Sequence, residues 1–245
     1  MKWRSHASIT RKICSTVALD QELTELMVEG SVEPDRHPVH SQRGGRTRRI
    51  PHHGSDDRTL LILAWKSRKA FLSGETELGC LDLGRLLHYV QDRSVRFGFS
   101  VRSHDRMEEE ISRCKVPTSA IRAGLDASLP SPYFVKRCIK GLRPCRDPAQ
   151  AMYRSTATSA ALVGAILGGL DEGDAIEGAW SAERRRHLRL SAPAAAGVGM
   201  AAAYSAFMTD CLWLLPASPV IAYLVLQNDF RYHRLRELRP WYSME

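Results

Sequence analysis

Apolar side chains recur at helical spacing along most of the 245 residues, so the predicted elements are helices. Ile9, Ile13, Val17, Leu23, Leu26 and Met27 mark one or two amphipathic helices over residues 1–30, with Gly30 as the expected stop. A second run covers Thr59–Leu72, with Leu60, Leu61, Leu63, Ala64 and Phe71 on its apolar face and a break at Ser73-Gly74. The third, Leu83–Asp92 (LGRLLHYVQD), turns Leu83, Leu86, Leu87 and Val90 inward. It carries His88 and Asp92 four residues apart, on one helix face. In SHDRMEEEIS (103–112), His104 and Glu108 repeat that spacing beside the apolar Met107 and Ile111. Residues 113–150, rich in proline, read as loops and short helices, and 156–170 (TATSAALVGAILGGL) form an apolar run too short for a bilayer span.

Near the C-terminus the pattern changes. From Ser191 to Gln227 there is no Lys, Arg, Glu or His, and Asp210 is the sole charge. Pro216 and Pro219 divide this stretch into arms at 192–215 and 220–227. Arg184, Arg185, Arg186 and Arg189 precede it; Arg231, Arg234, Arg236 and Arg239 follow. Two basic flanks fit a re-entrant hairpin through 191–227 with both ends on the cytoplasmic side, anchored at the interface by Trp213, Tyr223, Trp241 and Tyr242. The competing reading is a pair of buried helices brought close by small residues. In either setting a buried Asp210 needs a partner. The expected fold is therefore all-α: a multi-helix bundle around a His/carboxylate metal cluster in residues 1–115, a loop-rich connector at 116–150 and an apolar helical region at 151–245.

Net charge is +8 and arginine supplies most of it, which points to an anionic partner: nucleic acid, phospholipid headgroups or a phosphorylated substrate. Residues 36–49 hold five arginines and only Val39 as a large apolar side chain, and read as a basic loop. Six cysteines with no C-x-x-C pair exclude a zinc ribbon and a dense disulfide framework, leaving reduced, mostly buried thiols. MKWRSHASITRKIC lacks the uninterrupted apolar stretch of a secretory signal, so the expected location is the cytoplasm or the cytoplasmic face of a membrane.

Chemistry concentrates before residue 110. His6 lies near the start, Asp35 sits in a Pro-flanked turn (GSVEPD), and His52 and His53 are followed by Asp56 and Asp57. His88 with Asp92 and His104 with Glu108 complete the set. Histidine with carboxylate and no thiolate suits zinc in a catalytic role. Which of His52 and His53 points inward is open at this level.

In this order, Trp3, His6, Asp35, His53 in HHGSD, His88 and Asp92 in LHYVQD, and His104 and Glu108 in HDRME resemble the zinc-dependent phospholipase C family. That family shares its fold with fungal-type single-strand nucleases and is an all-helical bundle around three zinc ions. The likeness covers residues 1 to 112, and LGRLLHYVQD is its most specific part. It implies that Asp35, His53, His88 and Asp92 hold one zinc, that Asp92 bridges to a second ion shared with His6, and that His104 and Glu108 hold a third. Asp35 would be the general base toward metal-activated water. Two departures bear on the count of ions. The family's N-terminal Trp gives its own amine and carbonyl to a metal, whereas Trp3 follows Met-Lys; and RSVRFGFS lacks the His expected after the bridging Asp. One to three zinc ions are thus implied. The implied activity is hydrolysis of a phospholipid or related phosphodiester. The alternatives are a single-strand nuclease on the same scaffold and a non-catalytic, membrane-associated helical protein.

Overall fold

The computed structural model describes every residue except 37–39, 44–45, 50–55, 97–100, 212–214 and 244–245; for 40–43, 46–49 and 101–104 the backbone alone is described. Two compact units result, Met1–Leu170 and Asp171–Glu245. The first contains α1 (Trp3–Thr16), α2 (Gln21–Arg36), α3 (Asp57–Leu72), α4 (Thr76–Arg93), α5 (Val101–Arg113), α6 (Thr118–Ala127), α7 (Pro132–Gly141) and α8 (Pro148–Leu167). Among the described residues the fold is all-α apart from one short two-stranded sheet. Where a basic loop was expected, β1 (His40–Arg43) and β2 (Arg46–Arg49) pair antiparallel, with His40 opposite Arg49 and Arg43 opposite Arg46. The sequence places a Gly-Gly pair between these strands, a two-residue hairpin signal that the arginine content obscured.

Helix α4 is the axis of the first unit. Leu83, Leu86, Leu87 and Val90 are fully buried, and so are Cys80 and Gln91 along the same stripe and His88 beyond it, because α1, α2, α3 and α8 all pack on the helix. The apolar run at 156–170 falls mainly within α8, a core helix whose first turn is capped by Asp147 accepting from the Gln150 amide. At its other end, the fully buried Arg68 of α3 donates to the carbonyls of Ile166, Gly168 and Gly169 at 2.7, 2.7 and 3.0 Å. That guanidinium satisfies carbonyls that a helix C-terminus leaves without partners, with a charge suited to the helix dipole.

Gly30 does not stop its helix: α2 continues to Arg36. A Cβ on Gly30 would lie 2.2 Å from the Leu81 carbonyl oxygen, and one on Gly84 would lie 2.2 Å from that of Met27. The two glycines let α2 and α4 touch backbone to backbone, so close approach, rather than capping, is what requires them. Asp35 consequently sits in the last turn of α2 and not in a turn outside it. Pro34, inside that last turn, lacks the amide that would bond the Gly30 carbonyl.

In the second unit, α9 (Gly173–Arg186), a π-turn (His187–Ser191) and α10 (Ala192–Met208) form one continuous helix of 36 residues. It is long and apolar enough to cross a membrane, by length and composition. α11 (Ala217–Gln227) packs on α10 and α12 (Phe230–Tyr242) packs on α9. Ser191 bonds Asp229 while Gly199 adjoins Ser218 and Ala222, so α11 runs antiparallel to α10. At the π-turn, the buried Asp229 carboxylate accepts from Arg186 Nη2 (2.7 Å), His187 Nδ1 (2.8 Å) and Ser191 Oγ (2.7 Å). Burial alone would raise its pKa, but these hydrogen bonds, the Tyr232 backbone and the Arg186 charge hold it below the ordinary carboxylate range. The His187 ring stacks on Tyr232 at 3.8 Å. Trp241 and Tyr242, expected as interfacial anchors, are buried instead. Asp210 is exposed at the end of α10 with φ of 53°, a left-handed position that Asp tolerates. Trp213 lies outside the described residues. All six cysteines are free; Cys14 and Cys80 are buried and the other four are half-buried, a wetter set than expected.

Gly84→Ala should lower stability by roughly 1–3 kcal/mol in urea unfolding, because two backbones must part to admit a methyl group. Gly178→Ala, where an added Cβ meets nothing within 4 Å, should be neutral or stabilising by about 0.5–1 kcal/mol.

Candidate metal centre

Four side chains converge where α1, α2 and α4 meet. α1 contributes His6, the end of α2 contributes Asp35, and α4 contributes His88 and Asp92. His6 and His88 are fully buried, and their rings lie 4.4 Å apart, inclined by 35°. His6 Nε2 is 3.3 Å from Asp92 Oδ1, and His88 Nε2 is 3.5 Å from Asp92 Oδ2. Each oxygen of Asp92 therefore faces a different imidazole. Asp35 Oδ1 stands 3.8 Å from His88 Nε2.

Both rings are held from behind. The Ser31 carbonyl can only accept, so His88 Nδ1 donates to it at 3.0 Å and the basic lone pair is on Nε2. His6 Nδ1 donates to Gln91 Oε1 at 2.7 Å, and Gln91 Nε2 donates to Ser159 Oγ at 3.2 Å, which sets the amide's orientation. Such contacts on the far nitrogen fix the tautomer and aim of metal-binding histidines. Burial, together with repulsion from His6, lowers the His88 pKa to about 3 against the attraction of Asp92 and the Ser31 bond. His88 is thus neutral near pH 7, the state a metal ligand requires.

Donor atoms of His6, Asp35 and His88 all lie within 4.8 Å of one another, and among the described residues this is the one such group. Ligand atoms around tetrahedral zinc are separated by roughly 3.3 Å. The nitrogen-to-oxygen distances of 3.3, 3.5 and 3.8 Å here approach that value. Nitrogen and carboxylate donors, oriented rings and neutral histidine together fit a divalent transition ion.

The cluster also meets a positive group. The buried α-amine of Met1 lies 2.5 Å from Asp92 Oδ1 and 3.4 Å from Glu108 Oε1 of α5. Burial works to lower its pKa, but Asp92, Glu108 and Asp35 raise it overall. The Trp3 ring is half-exposed, with the Arg4 and Arg36 guanidinium carbons 5.3 and 5.8 Å from its centre.

The structure thus brings together His6, Asp35, His88 and Asp92, with Glu108 at the edge through the Met1 amine. His52 and His53 lie outside the described residues, and of His104, on α5, only the backbone is described. The acids after the His pair have structural roles: Asp56 caps α3 by accepting from the Thr59 amide at 2.8 Å, and Asp57 pairs with Arg93 at 2.7 Å. Gln91, the Ser31 carbonyl and Ser159 were not foreseen. Gln91 alone left a trace in the sequence, as a polar residue four and eight positions beyond Leu87 and Leu83 on the buried stripe.

Comparison of the chain with family models, with curated proteins and with solved structures finds no match. The class of site therefore stands on its own geometry: a buried His/carboxylate group fit for a metal ion.

Two outcomes follow. Gln91→Leu should weaken zinc binding about 10–100-fold in calorimetric titration, since His6 loses its orienting partner. In the metal-free chain, stability should fall as pH drops below 6.5, the ordinary histidine value, because the unfolded chain gains a proton on His88 that the folded chain excludes down to about 3. The loss between pH 6.5 and 5, above the carboxylate range, should shrink in His88→Gln when thermal midpoints are compared.

Proposed function

We propose that this chain is a metal-dependent phosphodiester hydrolase, with a phospholipid as the favoured substrate class. The observation that carries this is the difference in exposure within the cluster. Asp35 is 21% exposed, whereas the side chains of His6, His88 and Asp92 are 0%, 0% and 1% exposed. Three groups are closed off from solvent, and one carboxylate stands where water and substrate can arrive. Zinc, when bound, would supply Lewis acidity and lower the pKa of water to about 7. His6, His88, Asp92 and one oxygen of Asp35 would hold it, and the more exposed Asp35 carboxylate would also take the proton from the attacking water. Gln91 and the Ser31 carbonyl would keep both imidazoles oriented through the cycle. The +8 charge, including the arginines of β1 and β2, would draw an anionic ester toward the chain. The likeness of residues 1–112 to zinc-dependent phospholipases C supports the same assignment.

That positive charge also favours a second reading, cleavage of single-stranded nucleic acid. Headgroup release from phosphatidylcholine vesicles against breakdown of single-stranded DNA separates the two. Zinc-loaded protein should turn over one of these, lose that activity to a chelator and regain it with zinc. Asp35→Asn should lower the rate about 10²–10⁴-fold. Turnover of neither substrate by protein carrying its full metal complement would overturn the hydrolase reading.

A further inference from the structure

We propose that the α10–α11 hairpin inserts into one leaflet of a bilayer rich in anionic phospholipid, with the arginines at its base resting on the headgroups. The inference rests on the second unit alone and is independent of the metal centre.

Three observations converge. First, the hairpin's outer faces are apolar and open to solvent: Met200, Tyr204 and Phe207 on α10 are 67, 66 and 65% exposed, and Val220, Tyr223 and Leu224 on α11 are 55, 58 and 56% exposed. The two helices pack on each other without covering these faces. Ordinary surface helices bear charge there, yet from Ser191 to Gln227 only Asp210 is charged.

Second, the charge sits at one end. Arg184, Arg185 and Arg189 lie just before α10, and Arg231, Arg234 and Arg236 lie just after α11. The Asp229 carboxylate, bonded to Arg186, His187 and Ser191, ties these two basic ends together at one level. An antiparallel hairpin with a basic base and an apolar shaft has the polarity of a headgroup–hydrocarbon boundary.

Third, the lengths limit the depth. At 1.5 Å per residue, α10 with 17 residues is about 25 Å long and α11 with 11 residues about 16 Å. The shorter arm matches about half of a 30 Å hydrocarbon core, so the hairpin enters one leaflet and returns. Helical backbone leaves few polar groups to satisfy there. At the bend, the Thr209, Asp210 and Ser218 amides bond the carbonyls of Ser205, Phe207 and Leu215.

The test uses the full chain with vesicles of phosphatidylcholine alone and of phosphatidylcholine with phosphatidylglycerol at about three to one, in flotation assays at low and high salt. Binding should be strong on the anionic vesicles and weaker on the neutral ones. Replacing Met200 and Phe207 together by Asp should reduce it at least about tenfold. Both side chains are exposed, so the unfolding midpoint should hold. Arg184→Gln, Arg185→Gln and Arg189→Gln should each lower partition to anionic vesicles about fivefold at low salt, and less at high salt. Failure to bind anionic vesicles overturns the proposal, as does binding unaffected by the Asp pair. A dimer in sedimentation velocity that the same pair disperses, without vesicle binding, would assign the face to a second copy and overturn it too.

Discussion

The approach of α2 to α4 at Gly30 and Gly84 is the constraint on which the candidate centre depends. Side chains at either position would hold the helices apart by the width of a methyl group or more, since each added Cβ would fall 2.2 Å from a carbonyl oxygen. With the backbones in contact, the Ser31 carbonyl reaches His88 Nδ1, and Asp35, one turn further along α2, comes within 3.8 Å of His88 Nε2. A steric requirement at two glycines thus becomes a statement about which atoms can share an ion. The same contact explains why Asp35 is helical: the packing carries α2 past Gly30 and into its last turn.

Electrostatics then set the charge balance of the centre. Asp92 is buried to 2% exposure, and an uncompensated carboxylate at that depth is costly. His88 is no ready counter-charge, because burial and the neighbouring His6 keep it neutral. The Met1 amine supplies one positive charge at Asp92 and Glu108. A divalent ion held by His6, Asp35, His88 and Asp92 would compensate the same carboxylates and use His88 in the neutral state it already holds. In the second unit the buried Asp229 is compensated in a different way, by Arg186 together with hydrogen bonds from His187 and Ser191, and there the outcome is a joint between helices.

Much of this was legible in the sequence, and for identifiable reasons. Helical periodicity located α1, α3 and α4, since a 3.6-residue apolar stripe survives whatever packs on it. The i, i+4 spacing put His88 and Asp92 on one face. What escaped depended on partners distant in sequence. Gly30 has the local look of a stop, and only the carbonyl of Leu81, 51 residues on, reveals why it is glycine. Gln91 and Ser159 meet across α4 and α8, and no local pattern records that meeting. Trp241 and Tyr242 read as interfacial from their basic neighbourhood, yet both are buried. Asp56 and Asp57 looked like ligands because they follow two histidines, but the start of α3 claims one as a cap and Arg93 claims the other.

Metal content is the most direct test of the central claim that His6, Asp35, His88 and Asp92 form a metal site. Elemental mass spectrometry would be run on protein purified without a metal-affinity tag or chelator, alongside His88→Ala. About one zinc or more per chain in the unaltered protein is expected, falling to trace level in His88→Ala while its helical content persists. Trace metal in the unaltered protein, after zinc has been supplied and the excess removed, would contradict the claim and leave the cluster as a buried polar joint held by the Met1 amine.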